Sequence, residues 1–205
     1  MTRVDLQVRL QNFFQNTPYY PTVDLNNSIQ DGMDEVAAFT GCIYKSAVVP
    51  FIAGKSYYDM LTLLPDYIGV IAIFNNTIKR WLISTSVRKL DQVRIDWETS
   101  LGTPYYFCPI NHRYVVIWMK PGAINYGDMF VFYRAAAPAL TDLLPIPIPD
   151  DHIQALESYC IKDLWEMNQE FGKAGEYMDV YDKNIETLRV YMESLRNPGR
   201  TVSLR

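Results

Sequence analysis

Apolar side chains at the start of the chain recur at steps of three and four. Within residues 4–16, Leu6, Leu10, Phe13 and Phe14 share one face of a helix, and Pro18 and Pro21 end the pattern. A second stripe of Leu25, Ile29, Met33, Val36 and Phe39 predicts a helix capped by Asp24 and stopped by Gly41. Gly32 inside it either weakens the helix or marks the close approach of a neighbour. From Tyr44 the period falls to two. The segments 48–52, 57–63, 68–74 and 78–83 read as strands, and Asn75-Asn76-Thr77 reads as a hairpin turn, because Asn tolerates positive φ. Residues 86–97 are polar and mixed, a short helix or an irregular segment. Strands at 105–110 and 114–119 flank a turn at Asn111-His112, and a last strand, 129–133, follows Gly127-Asp128.

The helical period returns after the run Leu144-Pro145-Ile146-Pro147-Ile148-Pro149. Asp151 with Gln154 has capping-box spacing, and Ile153, Leu156, Cys160, Leu164, Met167 and Phe171 follow at helical steps. Gly172 and Gly175 break the chain before a stripe through Tyr177, Tyr181, Ile185, Leu188, Met192 and Leu195. A short connection makes consecutive helices antiparallel neighbours, so these two should pair. The expected fold is α+β. Residues 1–42 and 143–196 form a four-helix bundle, residues 43–142 an inserted small antiparallel β-domain of sandwich or barrel type, and residues 197–205 a tail. The proline run serves as a rigid extended linker between insert and bundle.

Composition changes this picture little. With 205 residues, 49% hydrophobic and 20% charged, the chain is long enough to bury a good core and is not disordered. The 15 Tyr, 9 Phe and 4 Trp suit mixed cores and also large protein interfaces. A net charge of −4 argues against a protein that grips nucleic acid along a basic face. The charge is uneven, however: residues 43–142 are +3, and the segments before and after them are −3 and −4. Cys42, Cys108 and Cys160 show no metal-ligand spacing and read as buried, reduced thiols. The N-terminus lacks an apolar signal region, and the longest apolar run, 68–74, is too short to span a bilayer. A soluble protein made in the cytoplasm is expected.

Little in the chain points to catalysis. His112 sits in a turn and His152 at a helix start, neither with a nucleophile or carboxylate pair at useful spacing. Phosphate-binding, zinc-protease and nucleophile-elbow motifs are missing, and no cofactor is expected. Glu157, Asp163, Glu166, Glu170 and Glu176 form an acidic series in which Glu166 and Glu170 fall one helical turn apart, read as solvated bundle surface. Lys79, Arg80, Arg88, Lys89 and Arg94 either form one cationic patch or are scattered charge interleaved with Asp91, Asp96 and Glu98. After the last helix, Arg196 to Arg205 carries no acid. Its Thr201-Val202-Ser203-Leu204 alternates as a donated strand would.

Several of these signals, in this order, resemble the head-to-tail adaptor (connector) proteins of tailed bacteriophages, including the adaptors of short-tailed phages. The residues that carry the likeness are the helical pair ending in Phe39-Thr40-Gly41, Trp97 followed by Gly102-Thr103-Pro104-Tyr105-Tyr106, and Phe130-Val131-Phe132-Tyr133. The proline run into Asp150-Asp151-His152 and the tyrosine-rich final helix complete it, over residues 20–196. The resemblance implies a structural virion protein of the head-tail junction, without enzymatic activity. It would be a ring, twelvefold in the family, of helical bundles beneath the portal protein, joined to tail or nozzle proteins below and traversed by genomic DNA. It also implies portal docking by the C-terminal segment, here Arg196, Asn197, Arg200, Thr201, Val202, Ser203, Leu204 and Arg205. Being short, that segment should dock shallowly rather than wrap a portal subunit. Lys79, Arg80, Arg88, Lys89 and Arg94 become candidates for a DNA-facing or inter-subunit ring. A competing reading makes Tyr105, Tyr106, Trp118 and Tyr126 an aromatic platform of a carbohydrate- or receptor-binding β module. A third, a hydrolase of unrecognised type, would rest on His112.

Overall fold

A computed structural model describes residues 1–15, 20–93, 96–122 and 127–196, Arg196 by its backbone alone. In chain order come helices α1 (Arg3–Phe13) and α2 (Thr22–Thr40), strands β1 (Tyr44–Pro50) and β2 (Tyr57–Asp59), and the one-turn helix α3 (Met60–Leu63). Strands β3 (Tyr67–Asn75), β4 (Arg80–Trp81) and β5 (Ile83–Ser84) precede helix α4 (Val87–Val93). Then follow β6 (Leu101–Gly102), β7 (Tyr106–Ile110), β8 (Tyr114–Trp118), β9 (Lys120–Pro121), β10 (Asp128–Ala135), and helices α5 (Gln154–Met167) and α6 (Phe171–Arg196). This α+β chain divides into two compact units, Met1–Ile43 with Ala136–Arg205 and Tyr44–Ala135.

In the helical unit, α1 starts at a reciprocal cap. The Asp5 amide donates to Thr2 Oγ1 at 3.3 Å and the Thr2 amide donates to Asp5 Oδ2 at 2.8 Å. Leu6 and Leu10 below it are fully buried. Helix α2 begins at Thr22, ahead of the expected cap, so Asp24 lies in its first turn, where unpaired N–H groups favour negative charge. Gly41 closes it at φ 55°, its N–H reaching the Ala37 carbonyl. Leu25, Ile29, Met33 and Val36 are buried as the stripe predicts, but Phe39 is 67% exposed and Thr40 buried instead. At 3.6 residues per turn, Phe39 falls about 80° from the centre of that stripe and Thr40 close to it. Helix α2 packs on α5 and α6, α5 on α6, and α1 on α2 and α5.

Two expectations for the second helical pair are corrected. Asp151 and Gln154 form no capping box: residues 150–152 make a 3₁₀ turn, and Ile153 is already helical at φ −61°, ψ −21°. No extended residue remains there whose side chain could fold back on the first turn. Gly172 and Gly175 do not separate the helices either. Gln169, at φ 62°, makes the break, and both glycines lie inside α6. The proline run is also more than a linker. Ile146 and Ile148 are buried, the Ile146 amide donates to the Met1 carbonyl at 2.9 Å, and Thr2 bridges Pro145. Ion pairs Met1–Asp150 (2.9 Å) and Arg3–Asp142 (2.7 Å) fasten the chain start to the residues flanking this run, and Arg9–Glu157 (2.8 Å) ties α1 to α5. Residues 136–142, expected in the insert, fall in the helical unit, where the Leu140 amide donates to Gln30 Oε1 at 2.8 Å.

The second unit holds two four-stranded sheets, ordered β1-β10-β3-β4 and β2-β8-β7-β5, and the parallel pair β6-β9. The first sheet is antiparallel and one-sided: Val49, Ile73, Met129, Val131 and Tyr133 are buried, while Val48, Trp81 and Phe132 on the alternate positions are exposed. The second sheet is covered on both faces. Cys108 and Val116 cluster with Leu90 of α4 and with Trp97, while Phe107, Val115 and Ile117, pointing the other way, are buried too.

Two of the expected strands are corrected in this unit. Segment 57–63 is a strand only to Asp59, whose side chain then caps the short α3 by accepting from the Thr62 amide. Segment 78–83 splits in two. Residues 76–79 are turn, β4 pairs with β3, and β5 pairs in parallel with β7 of the other sheet. The buried Leu82 marks the crossing: its amide donates to the Ile73 carbonyl, and the next amide, of Ile83, donates to Tyr105.

Candidate functional site

The parallel pairing of β5 with β7 leaves a groove beside α4. The register of β7 against β8 sets Tyr106 opposite Trp118, whose ring centroids lie 5.2 Å apart at an interplanar angle of 40°. Because side chains alternate along a strand, this pair lies on the same face as Cys108 and Val116, which α4 covers through Leu90. The half-exposed rings therefore make one wall of a groove of about 410 Å³, with Leu90, Val93, Lys89 and Gln92 of α4, the two residues of β5 and Thr85 after them around it. Trp118 Nε1 is shielded from solvent without a hydrogen-bond partner among the described residues. The Trp97 indole, on the same cluster, does have one: it donates to Asp91 Oδ1 at 2.7 Å.

Of the expected aromatic platform, only this pair is assembled. Tyr105 is exposed just ahead of β7, its amide donating to the Trp118 carbonyl at 3.0 Å, and Tyr126 lies outside the described residues. A second aromatic group, which the sequence reading did not single out, occupies the open face of the first sheet. Phe74 packs on Trp81 (5.2 Å) and Phe130 (6.4 Å), and Trp81, 57% exposed, packs on Phe132 (5.3 Å). The pairing of β10 with β3 and of β3 with β4 brings these rings together, a register that a linear pattern does not display.

Lys79 sits in the β3–β4 turn at φ 54°, with its ammonium 2.7 Å from Asn76 Oδ1. Arg80 opens β4, and Arg88 and Lys89 follow one another in α4. All four are exposed, and none has an ion pair among the described residues. Arg94 lies outside the described residues. Two of the acids expected to neutralise these cations are otherwise engaged, Asp91 by Trp97 and Glu98 by the Tyr57 hydroxyl at 2.7 Å. That hydrogen bond, with burial, raises the Tyr57 phenol to about 12. Asp66 accepts from Lys45 and from the Tyr133 hydroxyl (3.0 Å), and burial together with Asp66 pushes Tyr133 up to about 12.

His112 is an exposed turn residue of the second unit, and His152, in the helical unit, rests on the Tyr191 ring at 4.5 Å. Glu166 and Glu170 do not share a helix face, because α5 ends at Met167. They pair with Lys162 and Lys173 instead. No group of three or more metal-binding side chains occurs among the described residues, and none of their helices is long and apolar enough to cross a membrane. On α6, Asp179, Asp182, Lys183, Glu186 and Thr187 border an open, mostly acidic hollow. Large apolar side chains stand out on the helices of the helical unit: Val4 and Val8 on α1, Val23 and Phe39 on α2, and Phe171, Met178, Val180 and Leu195 on α6. Residues 197–205, with Asn197, Arg200 and Arg205, lie outside the described residues, as does the side chain of Arg196.

No protein-family model matches this chain, and no curated protein is detectably similar to it.

Proposed function

We propose that the chain is a structural virion protein, a head-to-tail adaptor whose copies form a ring beneath a portal protein and hold tail proteins below it. The observation that carries this reading is the exposure of large apolar residues along three long helices of the unit built from the two chain ends. Phe39 and Phe171 are 67% and 69% exposed. Apolar side chains left exposed on helices are available for burial against a partner. In this reading α1, α2, α5 and α6 make a four-helix bundle whose outer faces meet neighbouring copies, and the β unit is a small sandwich-like insert.

Charge supports the same arrangement. The β unit carries ten basic and six acidic residues, and the rest of the chain nine and seventeen. A mainly acidic ring lets DNA slide, and a few unpaired cations such as Lys79, Arg80, Arg88 and Lys89 hold it or the next subunit. The terminal segment 196–205 docks on the portal. Co-expression with the portal protein of the same virus, followed by negative-stain imaging, tests the proposal. A capped portal ring supports it, and a monomer indifferent to portal overturns it. Deleting residues 197–205 should leave the circular-dichroism spectrum and melting unchanged while weakening attachment to portal.

A further inference from the structure

The open face of the first sheet combines uncovered rings with an unpaired guanidinium. Side chains alternate along β10, so Phe130, Phe132 and Arg134 share that face. Phe74 and Trp81 join it through the pairing of β3 with β10 and with β4. The ring contacts are edge-on or tilted, at 66°, 40° and 47°, so no ring face is spent on a stacked neighbour. Arg134, half-buried, lies across Gly69, where an added Cβ would stand 4.0 Å from Nη2. It has no ion pair or side-chain hydrogen bond among the described residues, and its Nε is shut off from solvent. A covered charge without a counter-ion is costly. The one carboxylate on this face of β10, Asp128, lies at the far end of the strand, about 20 Å away. Beyond the rings, Lys79 and Arg80 immediately precede Trp81, both exposed and without ion pairs among the described residues.

A matching occupant brings flat faces for the rings and negative charge for the cations. A neutral sugar brings no charge, and an acidic peptide brings charge without flat faces. A polynucleotide brings both in every repeat. Successive bases of a duplex strand are stacked about 3.4 Å apart, whereas Phe130 and Phe132, two residues apart on β10, are about 6.8 Å apart along the strand. The rings therefore suit bases pulled out of a stack. Arginine suits the phosphates, because its planar fork donates two parallel hydrogen bonds. Of the register neighbours of Phe130 and Phe132 on β1 and β3, Val48, Ser46 and Ala72 are small or aliphatic, and only Ser46 offers a ribose 2′-hydroxyl a partner. We infer that this sheet face binds single-stranded DNA, with bases stacked on Trp81 and Phe132 and a phosphate held by Arg134. Binding of this kind needs neither a ring of subunits nor a portal protein.

Dodecathymidylate, titrated into the ¹⁵N-labelled full-length chain, tests it. The chain has 4 Trp, and replacing each in turn by Phe assigns the four indole signals. The Trp81 signal should shift progressively to saturation, while that of the buried Trp97 stays in place. Anisotropy of the fluorescein-labelled strand gives the affinity. Trp81→Ala should weaken binding about 5- to 150-fold. Phe132→Ala should weaken it as well and serves if Trp81→Ala does not fold. Arg134→Gln should lower the slope of log affinity against log salt by about 0.7. Lys79→Gln combined with Arg80→Gln should lower it by about twice as much and serves if Arg134→Gln does not fold. A Trp81 signal unmoved by dodecathymidylate overturns the inference, as does a Trp81→Ala protein that binds as tightly as the unsubstituted chain. Equal competition by the duplex with dodecadeoxyadenylate, or by polyglutamate of the same charge, also overturns it, and so does tighter binding of dodecauridylate.

Discussion

Replacing Gly32 with alanine pits two effects of known sign against each other. Inside a helix, Gly to Ala stabilises by about 1 kcal/mol through propensity alone. At Gly32, however, an added Cβ would stand 2.6 Å from Tyr159 Cδ1 and 2.8 Å from Leu156 Cδ1. The Leu156 methyl is the end of a flexible side chain and can turn away. The Tyr159 ring is held by Tyr181 at 5.5 Å and by the Lys162 ammonium at 4.8 Å, so α2 and α5 must separate. Overpacking of this kind costs about 1–3 kcal/mol. The net expectation is a loss of about 1 kcal/mol, or about 2–4 °C in melting temperature for a chain of this size. Gly175→Ala is the control: it sits in α6 with nothing within 4 Å of its Cβ, and should gain up to about 1 kcal/mol. Urea unfolding followed by far-ultraviolet circular dichroism reads both. A Gly32→Ala protein stabilised as much as Gly175→Ala would refute the close approach of α2 to α5.

The tyrosines Tyr57 and Tyr133, both raised to about 12, should ionise late in an absorbance titration at 295 nm. Tyr57→Phe and Tyr133→Phe should each remove one late-titrating phenol. Because their folded values lie above the ordinary phenol value of about 10, the stability they contribute is full below about pH 10 and fades as pH rises through 12. At the acid end the sign reverses: hydrogen bonding to Arg113 holds Asp59 below its usual range. Its contribution is present above about pH 4 and is lost as pH falls through the depressed value, so Asp59→Asn should flatten the acid limb of the stability curve. Cys42, Cys108 and Cys160 are all buried and burial raises each thiol. Native protein should therefore react slowly with a thiol reagent and release three equivalents in denaturant; a fast thiol in native protein would contradict their placement.

Much of the helical unit was legible because its signals are local. Stripes at steps of three and four located α1, α2, α5 and α6, and Gly41 stopped α2 as a left-handed cap should. The errors fell at ends, where competing contacts decide. No cap forms at Asp151 because residues 150–152 are drawn into a tight turn, with Met1 held against Asp150. Likewise Pro145–Pro149 looked like a linker because isolated prolines say nothing about partners. Its partner is the first residue of the chain, 145 positions away from Ile146, and no periodicity spans that distance.

The groove was hidden for a related reason. Residues 78–83 have the composition of one strand, and a linear reading has no ground to divide them. The division arises because Leu82 is buried where the chain leaves one sheet for the other: its amide serves β3, and the next serves Tyr105. Had β5 stayed beside β3, Ile83 and Ser84 would not border β7, and Tyr106 and Trp118 would face α4 without a third side. Truncation of Leu82 should therefore act on the groove as well as on stability. Leu82→Ala removes a buried anchor and should cost about 2–5 kcal/mol. If β5 is held to β7 mainly through that anchor, the Trp118 indole signal should move in the same variant without any ligand. An unmoved indole in a destabilised Leu82→Ala protein would mean that the Ile83 and Thr85 hydrogen bonds to Tyr105 and Phe107 hold the groove by themselves.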